Sequence, residues 1–349
     1  MERRNRRSKP RNQNRNRVRI DGKTYDVIDR QRLRGRIYLV LRRLASAPRA
    51  RYLVCDPAAG MQLRMLLVLP DDEPTAQHAS VLRNLNSRSL PQIFDIDRED
   101  GRTRIVLSWT PGIDLGQYLQ RIEREKVVPP TPAHAVRLIH GMAVDLTLMH
   151  RYARIIHGDL KPANLIISRK PSRLSLIDFG SAWPIERTGF RHPGDGLSPV
   201  FAAPEQQHDA AAGVDERADQ FAASVLLYQL LTLKIPYEGL GGQAGLPRYF
   251  DPDNVVVPPS EIAIHERFVP RRLRRQLDDV VQKGLALDPG QRFLTSGAWL
   301  DALRAVHRHL EDRDSGSHRR QGYWEQFCDW LAQRFVGTHE SPPKDAHVD

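Results

Sequence analysis

Residues 157 to 180 read HGDLKPANLIISRKPSRLSLIDFG, with an aspartate at 159, a lysine at 161, an asparagine at 164 and a second aspartate at 178. These four groups suffice to sketch phosphoryl transfer. Its transition state is loose, so a protein has mainly to position the nucleophile and neutralise charge on the phosphate oxygens. Asp159 would accept a hydrogen bond from the attacking hydroxyl and orient it, while Lys161 would reach the transferring phosphate. Asn164 and Asp178 would supply oxygen ligands of the kind Mg2+ prefers.

The elements that must hold these groups are legible around them. LII and LSLI read as two short strands about the turn SRKPSR, which puts Asp159 to Asn164 before one strand and Asp178 after the other. Upstream, Thr131 caps a helix, Pro132 takes its first position, and Ala135, Leu138, Ile139, Met142, Leu146 and Met149 recur at helical spacing. Downstream, ADQFAASVLLYQLLTL is apolar nearly all round, the mark of a helix buried inside a lobe. Residues 271 to 310 add two or three amphipathic helices. Before all of these, residues 24 to 110 hold apolar runs such as YLVC, MLLVL and RIVLSW, separated by turn-forming DPAAG and DREDG, and predict a small, mostly β lobe.

The net charge of +11 is uneven, because residues 1–19 carry nine Arg or Lys against the single acid Glu2. They predict a disordered basic tail that either solvates the chain or holds nucleic acid or an anionic surface by counterion release. The two cysteines, Cys55 and Cys328, imply neither a disulfide framework nor a cysteine-rich zinc site, and fit a reducing cytoplasm. No apolar run approaches the roughly 20 residues that span a bilayer, so a soluble protein is expected. Residues 312–321 read as a linker, 322–336 as an amphipathic helix and 337–349 as a polar tail. That helix would dock a protein partner or a membrane surface, or pack back on its own domain.

From about residue 24 to 311 the chain resembles the eukaryotic-type (Hanks-type) Ser/Thr protein kinases, particularly the bacterial members. HGDLKPANL is similar to the family's catalytic loop, IDFG to its metal-binding segment, SPVFAAPEQ to the end of its activation segment and LDPGQRF to a downstream structural motif. The resemblance implies an α+β, two-lobed protein-kinase-like fold with a small, mostly β N-lobe (24–110) and a larger, mostly α C-lobe (111–311). It makes Asp159 and Lys161 catalytic, Asn164 and Asp178 ligands of Mg2+ or Mn2+, and Ser198 the activation-segment hydroxyl near the catalytic aspartate. His157, Glu205, Asp219 and Arg292 become structural, with Asp219 binding the loop backbone and Glu205 pairing with Arg292. The implied reaction moves phosphate from ATP to Ser or Thr of a protein substrate. Gly158 stands where many relatives carry an arginine that binds a phosphate on the activation segment, so phosphorylation there is not expected to be required.

The small lobe departs from the family pattern. Where a glycine-rich loop is expected, LRRLASAPRARYLV holds no glycine; Leu66 or Leu67 falls where the ATP-binding lysine belongs, and SVLRNLNSRSLPQIFDI offers no glutamate to pair with it. Arg64, on the same strand face as Leu66, and Arg49 and Arg51, in the place of the phosphate loop, are the candidate substitutes. RIVLSWTPGIDLGQYL resembles the strand and linker that receive adenine, with Leu107 guarding the pocket and the backbone of Ser108, Trp109 and Thr110 contacting the base. Three functions follow: an atypical Ser/Thr protein kinase, a pseudokinase acting as a binding or scaffold module, or a small-molecule phosphotransferase.

Overall fold

The computed structural model describes residues 17–46, 50–71, 90–168, 173–179, 182–185, 198–207, 213–251, 255–262 and 271–314, with single positions 76, 79, 83, 87 and 253. The amphipathic stretch 322–336, its linker and the polar tail lie outside the described residues. The chain divides into two compact units, one running to Pro70 and including Phe94–Trp109, the other comprising Asp71–Ile93 and the chain from Thr110 onward. Residues 71–93 belong with the second unit, where the sequence pattern places them in the first.

In the first unit a hairpin of β1 (Arg17–Ile20) and β2 (Lys23–Asp26) precedes β3 (Asp29–Leu33), β4 (Arg36–Ala45), β5 (Ala50–Asp56), β6 (Gln62–Pro70), β7 (Ile93–Glu99) and β8 (Arg102–Ser108). The last six form one sheet in the order β3-β4-β5-β6-β8-β7. Two-residue turns set the hairpins: Asp21-Gly22, Arg34-Gly35 and Asp100-Gly101 all take positive φ, as turns matched to strand twist require. Residues 17 to 19, which the sequence pattern assigns to the tail, are strand β1. Their alternation of arginine with half-buried Val18 and buried Ile20 is half a hairpin, invisible until the partner strand pairs with it.

Alternation along the strands gives the sheet two apolar faces. One is covered by the hairpin, where Ile20, Val18 and Tyr25 pack with Leu41, Leu53, Cys55, Leu63 and Trp109. The other gathers Leu33, Tyr38, Val40, Val54, Leu66 and Val106, with Tyr52, Val68 and Phe94 against them.

The second unit begins with β9 (Ile113–Asp114) and α1 (Leu115–Glu123), whose cap Asp114 accepts the Gln117 amide at 2.8 Å. Helix α2 (Pro132–Leu148) is capped by Thr131, whose hydroxyl accepts the His134 amide at 3.2 Å, and Pro132 opens it. Two short strands follow, β10 (Ile155–Ile156) and β11 (Leu165–Ser168), then β12 (Arg173–Leu176). Strand β11 pairs with β12 on one side and β9 on the other. Gly112 permits the second pairing: its φ is +152°, and a Cβ there would lie 2.3 Å from the Ile167 carbonyl oxygen. Beyond these come α3 (Pro204–Gln207), α4 (Arg217–Thr232), α5 (Arg271–Gly284) and α6 (Ser296–Asp314). Helix α4 is buried on nearly every side, as its composition requires, and α2 packs on α4, β12 and α6.

Burial within α2 makes this unit acid-sensitive. His134 is pushed down to about 3, by burial and then by Arg137. His140, whose ring lies 4.8 Å from that of His307 on α6, is pushed down to about 4 by burial, His307 and Arg304. An unfolded chain protonates each near pH 6.5. Below that value the unfolded state holds the extra protons, so stability present above pH 6.5 is lost as pH falls toward the folded values, by up to about 1.4 kcal/mol per histidine per pH unit. Melting temperature is therefore expected to fall between pH 7 and pH 5, less steeply in His140→Gln. Equal steepness in the two proteins would exclude His140 as a source.

Candidate active site

The β11–β12 hairpin aligns the polar groups. Its register sets Leu165 opposite Leu176, and just beyond its open end the Ile177 amide donates to the Asn164 carbonyl at 3.1 Å. Asn164 is thereby across from the residue before Asp178, as strands at LII and LSLI predict. In the loop before β11, Lys161 Nζ lies 2.7 Å from Asp159 Oδ2. Asn164 Nδ2 donates to the same carboxylate oxygen at 3.0 Å and to the Asp159 carbonyl at 2.9 Å. Because the nitrogen is the donor, the amide oxygen is the atom of Asn164 left for a metal ion, and the Asp178 carboxylate is half-buried. A neutral amide oxygen and a carboxylate are donors of the kind a hard divalent cation takes.

Asp219, near the start of α4, holds this loop by its backbone. Its Oδ2 accepts from the His157 amide at 2.7 Å and its Oδ1 from the Gly158 amide at 2.9 Å. Burial pushes the Asp219 carboxyl up. The His150 hydrogen bond, the fields of His150 and His157 and the Gly158 amide outweigh that and hold it below the usual carboxylate range. His150 gives Nε2–H to Asp219 Oδ2 at 2.8 Å, and its Nδ1 meets the Ser296 hydroxyl at 2.6 Å. An ionised carboxylate only accepts, so His150 Nε2 carries the proton in that contact. Sequence reasoning missed His150 and Ser296, since a lone histidine at one helix end and a serine at the start of another carry no spacing that links them. His157 is fully buried, 5.5 Å from the Phe179 ring, and burial lowers its pKa.

The Glu205–Arg292 pair is formed as expected. Arg292 Nη1 and Nη2 reach Glu205 Oε1 and Oε2 at 2.6 and 2.9 Å, and the guanidinium also donates to the carbonyls of Ala286, Leu287 and Arg217. Ser198 accepts the Phe201 and Ala202 amides on its carbonyl, both at 2.9 Å, in a turn leading to α3. The preceding residues 186–197 lie outside the described residues.

The first unit describes two of the three arginines expected as substitutes. Arg64 does share its face with Leu66, but its guanidinium lies 3.8 Å over the Phe94 ring and donates to Gln62 at 2.5 Å, so it is engaged inside its own unit. Arg51 pairs across with Leu67 on the opposite face of the sheet, so Arg51 and Arg64 do not converge. Arg49 lies outside the described residues. Leu66 is 1% exposed within the apolar cluster of Tyr38, Val40, Val54 and Val106. Leu107 is buried on β8, Ser108 ends that strand, Trp109 packs against the β1–β2 cluster, and Thr110 opens the second unit. Trp109 is therefore a packing residue by its side chain.

Restoring a lysine at position 66 tests how far that face has changed. A lysine buried among these side chains loses about 3 to 5 pKa units, so Leu66→Lys is expected to destabilise the chain by about 4 kcal/mol or more. A denaturant midpoint unchanged in L66K would show that the face remains open to a charged group.

A carboxylate paired with lysine and asparagine, on a loop pinned to a buried helix by a second aspartate, is the arrangement of a protein-kinase catalytic lobe. The protein kinase domain family matches residues 70–301, and the chain belongs to that family. It is 26% identical over 286 residues to the serine/threonine-protein kinase pkn3 of Myxococcus xanthus, covering 78% of this chain and 49% of the relative. To the serine/threonine-protein kinase PknJ of Mycobacterium tuberculosis it is 29% identical over 234 residues, 66% of this chain and 37% of the relative. The chain thus spans about half or less of these relatives. Among solved structures, the PknI kinase domain of Mycobacterium tuberculosis matches with a TM-score of 0.55 and 25% identity, covering 79% of this chain and 98% of that one. The PK-1 kinase of the Cydia pomonella granulovirus matches in fold with a TM-score of 0.59 at 19% identity, over 76% of this chain and 93% of that one. Protein kinase domains in general use ATP and a divalent metal ion. Among the described residues no helix is long and apolar enough to cross a membrane.

Proposed function

We propose that this chain is an atypical Ser/Thr protein kinase, transferring the γ-phosphoryl group of ATP to serine or threonine hydroxyls of a protein substrate. The observation that carries this reading is the Asp159–Lys161–Asn164 arrangement, with Lys161 and Asn164 both bound to Asp159 Oδ2. The acceptor oxygen forms its bond to the γ-phosphorus as the bond to the β-phosphate oxygen breaks, and the hydroxyl proton leaves toward Asp159. Lys161 offers its positive charge to the phosphate oxygens. Asn164 and Asp178 would hold Mg2+ or Mn2+, which supplies charge neutralisation. Ser198 is the activation-segment hydroxyl near Asp159 in this reading, and the backbone of Ser108 to Thr110 takes the adenine edge, a role that needs no particular side chain.

The burial of Leu66 in an apolar cluster supports a second reading, a scaffold whose nucleotide site has decayed. Calorimetric titration with ATP, with and without Mg2+ and beside an Asp178→Ala control, separates the two. Binding that needs both the metal and Asp178, followed by phosphoserine or phosphothreonine on an added protein, supports the kinase. No binding at millimolar ATP supports the scaffold, and label found only on a small metabolite would point to a small-molecule phosphotransferase.

A further inference from the structure

Gln206 follows Glu205 in α3 and is buried, with its amide committed to two backbone groups. Nε2 donates to the Gly158 carbonyl at 2.9 Å, and Oε1 accepts from the Ala203 amide at 3.0 Å. A carbonyl can only accept and an N–H only donate, so the orientation of this amide is unambiguous. One side chain thus ties the residue before Asp159 to the segment that enters α3.

Gly158 has φ of +73°, a conformation glycine adopts at little cost. Glycine restrains its own ψ less than any other residue, so the orientation of the peptide between Gly158 and Asp159 must be fixed by its hydrogen bonds. Asp219 restrains the Gly158 N–H, which belongs to the preceding peptide. The N–H of the Gly158–Asp159 peptide itself makes a long, 3.4 Å contact to His157 Nδ1. Its carbonyl is held by Gln206 at 2.9 Å. A loosened peptide at this point would leave the backbone that carries the Asp159 carboxylate less firmly set against Lys161 and Asn164.

We propose that Gln206 is a positioning residue for Asp159: it locks the Gly158–Asp159 peptide and couples the catalytic loop to the start of α3. The inference rests on the reading of Asp159 as the catalytic aspartate. Gln206→Met removes both hydrogen bonds at similar length. Gln206→Glu keeps an acceptor for Ala203 but sets a carboxylate oxygen against the Gly158 carbonyl, a clash that protonation turns into a hydrogen bond.

The test uses the full chain with ATP and casein as acceptor, together with hydrogen exchange at the amides of residues 157 to 160. Q206M is expected to lose about 100-fold in kcat, the scale of a small misplacement of a reacting group. Its KM for ATP is expected to stay within about two-fold, since ground-state binding is untouched. Q206E is expected to regain activity relative to the unaltered chain as pH falls from 8 to 6, while Q206M does not. In both variants the 157 to 160 amides should exchange faster, with the rest of α2 and α4 unchanged.

Exchange as slow in either folded variant as in the unaltered chain overturns the lock, whether or not phosphate is transferred. Faster exchange with kcat unchanged overturns the positioning role. An unaltered chain that transfers nothing overturns the reading of Asp159 instead, and exchange alone then decides whether Gln206 holds the peptide.

Discussion

Asp159→Asn is expected to lower phosphoryl transfer by about 100- to 10,000-fold, the range over which a positioned proton acceptor contributes. The substitution is nearly isosteric. An asparagine oxygen can still accept from Asn164 Nδ2, so the loop keeps a hydrogen bond that the structure places at 3.0 Å. What is lost is the charge that meets Lys161 at 2.7 Å, and Lys161 is partly exposed, so the stability cost should stay near about 1 kcal/mol or below. Single-turnover transfer of labelled phosphate, with melting temperature and ATP affinity measured on the same preparations, checks all three statements. A D159N protein that transfers at the unaltered rate removes Asp159 from the chemistry. One that cannot fold makes it a structural residue.

Arg292→Met is expected to destabilise the chain by about 3 to 5 kcal/mol, because it leaves Glu205 buried with no opposite charge. For a unit of this size that corresponds to a fall in melting temperature of roughly 10 °C. Arg292 is more than half of an ion pair: it also donates to three carbonyls and stacks 4.8 Å over Phe221, so it joins α3, the first turn of α4 and the loop after α5. Removing both charges together should hurt less than the sum of the single changes, since no charge is then stranded. Chemical denaturation of R292M, E205M and the double variant measures this directly. A double variant as unstable as the sum would show that the two side chains do not act as a pair.

Much of the large unit is legible in the sequence because its signals are local. Thr131 and Pro132 announce a helix start by their own backbone preferences, and the apolar residues spread nearly all round residues 218–233 point to a buried helix. The catalytic loop is legible because four chemical groups held at fixed spacing around two strands seldom arise together by chance. Asp-Gly pairs at 21–22 and 100–101 mark tight hairpins by the same local logic, yet the first is masked: its strand β1 is half arginine and reads as tail until its partner is known.

The residues themselves determined the family, the helical lobe and the groups proposed for phosphoryl transfer, since each depends on side-chain type and on spacing within a few turns or strands. Tertiary structure alone decided that Arg64 turns onto Phe94, that Leu66 is sealed among apolar neighbours, and that Asp219 is backed by His150 and Ser296. It alone placed Gln206 on Gly158, 48 residues away. Those contacts join backbone and side-chain atoms brought together only when the strands and helices pack, and hydrogen bonds between such distant positions leave no periodicity in the chain.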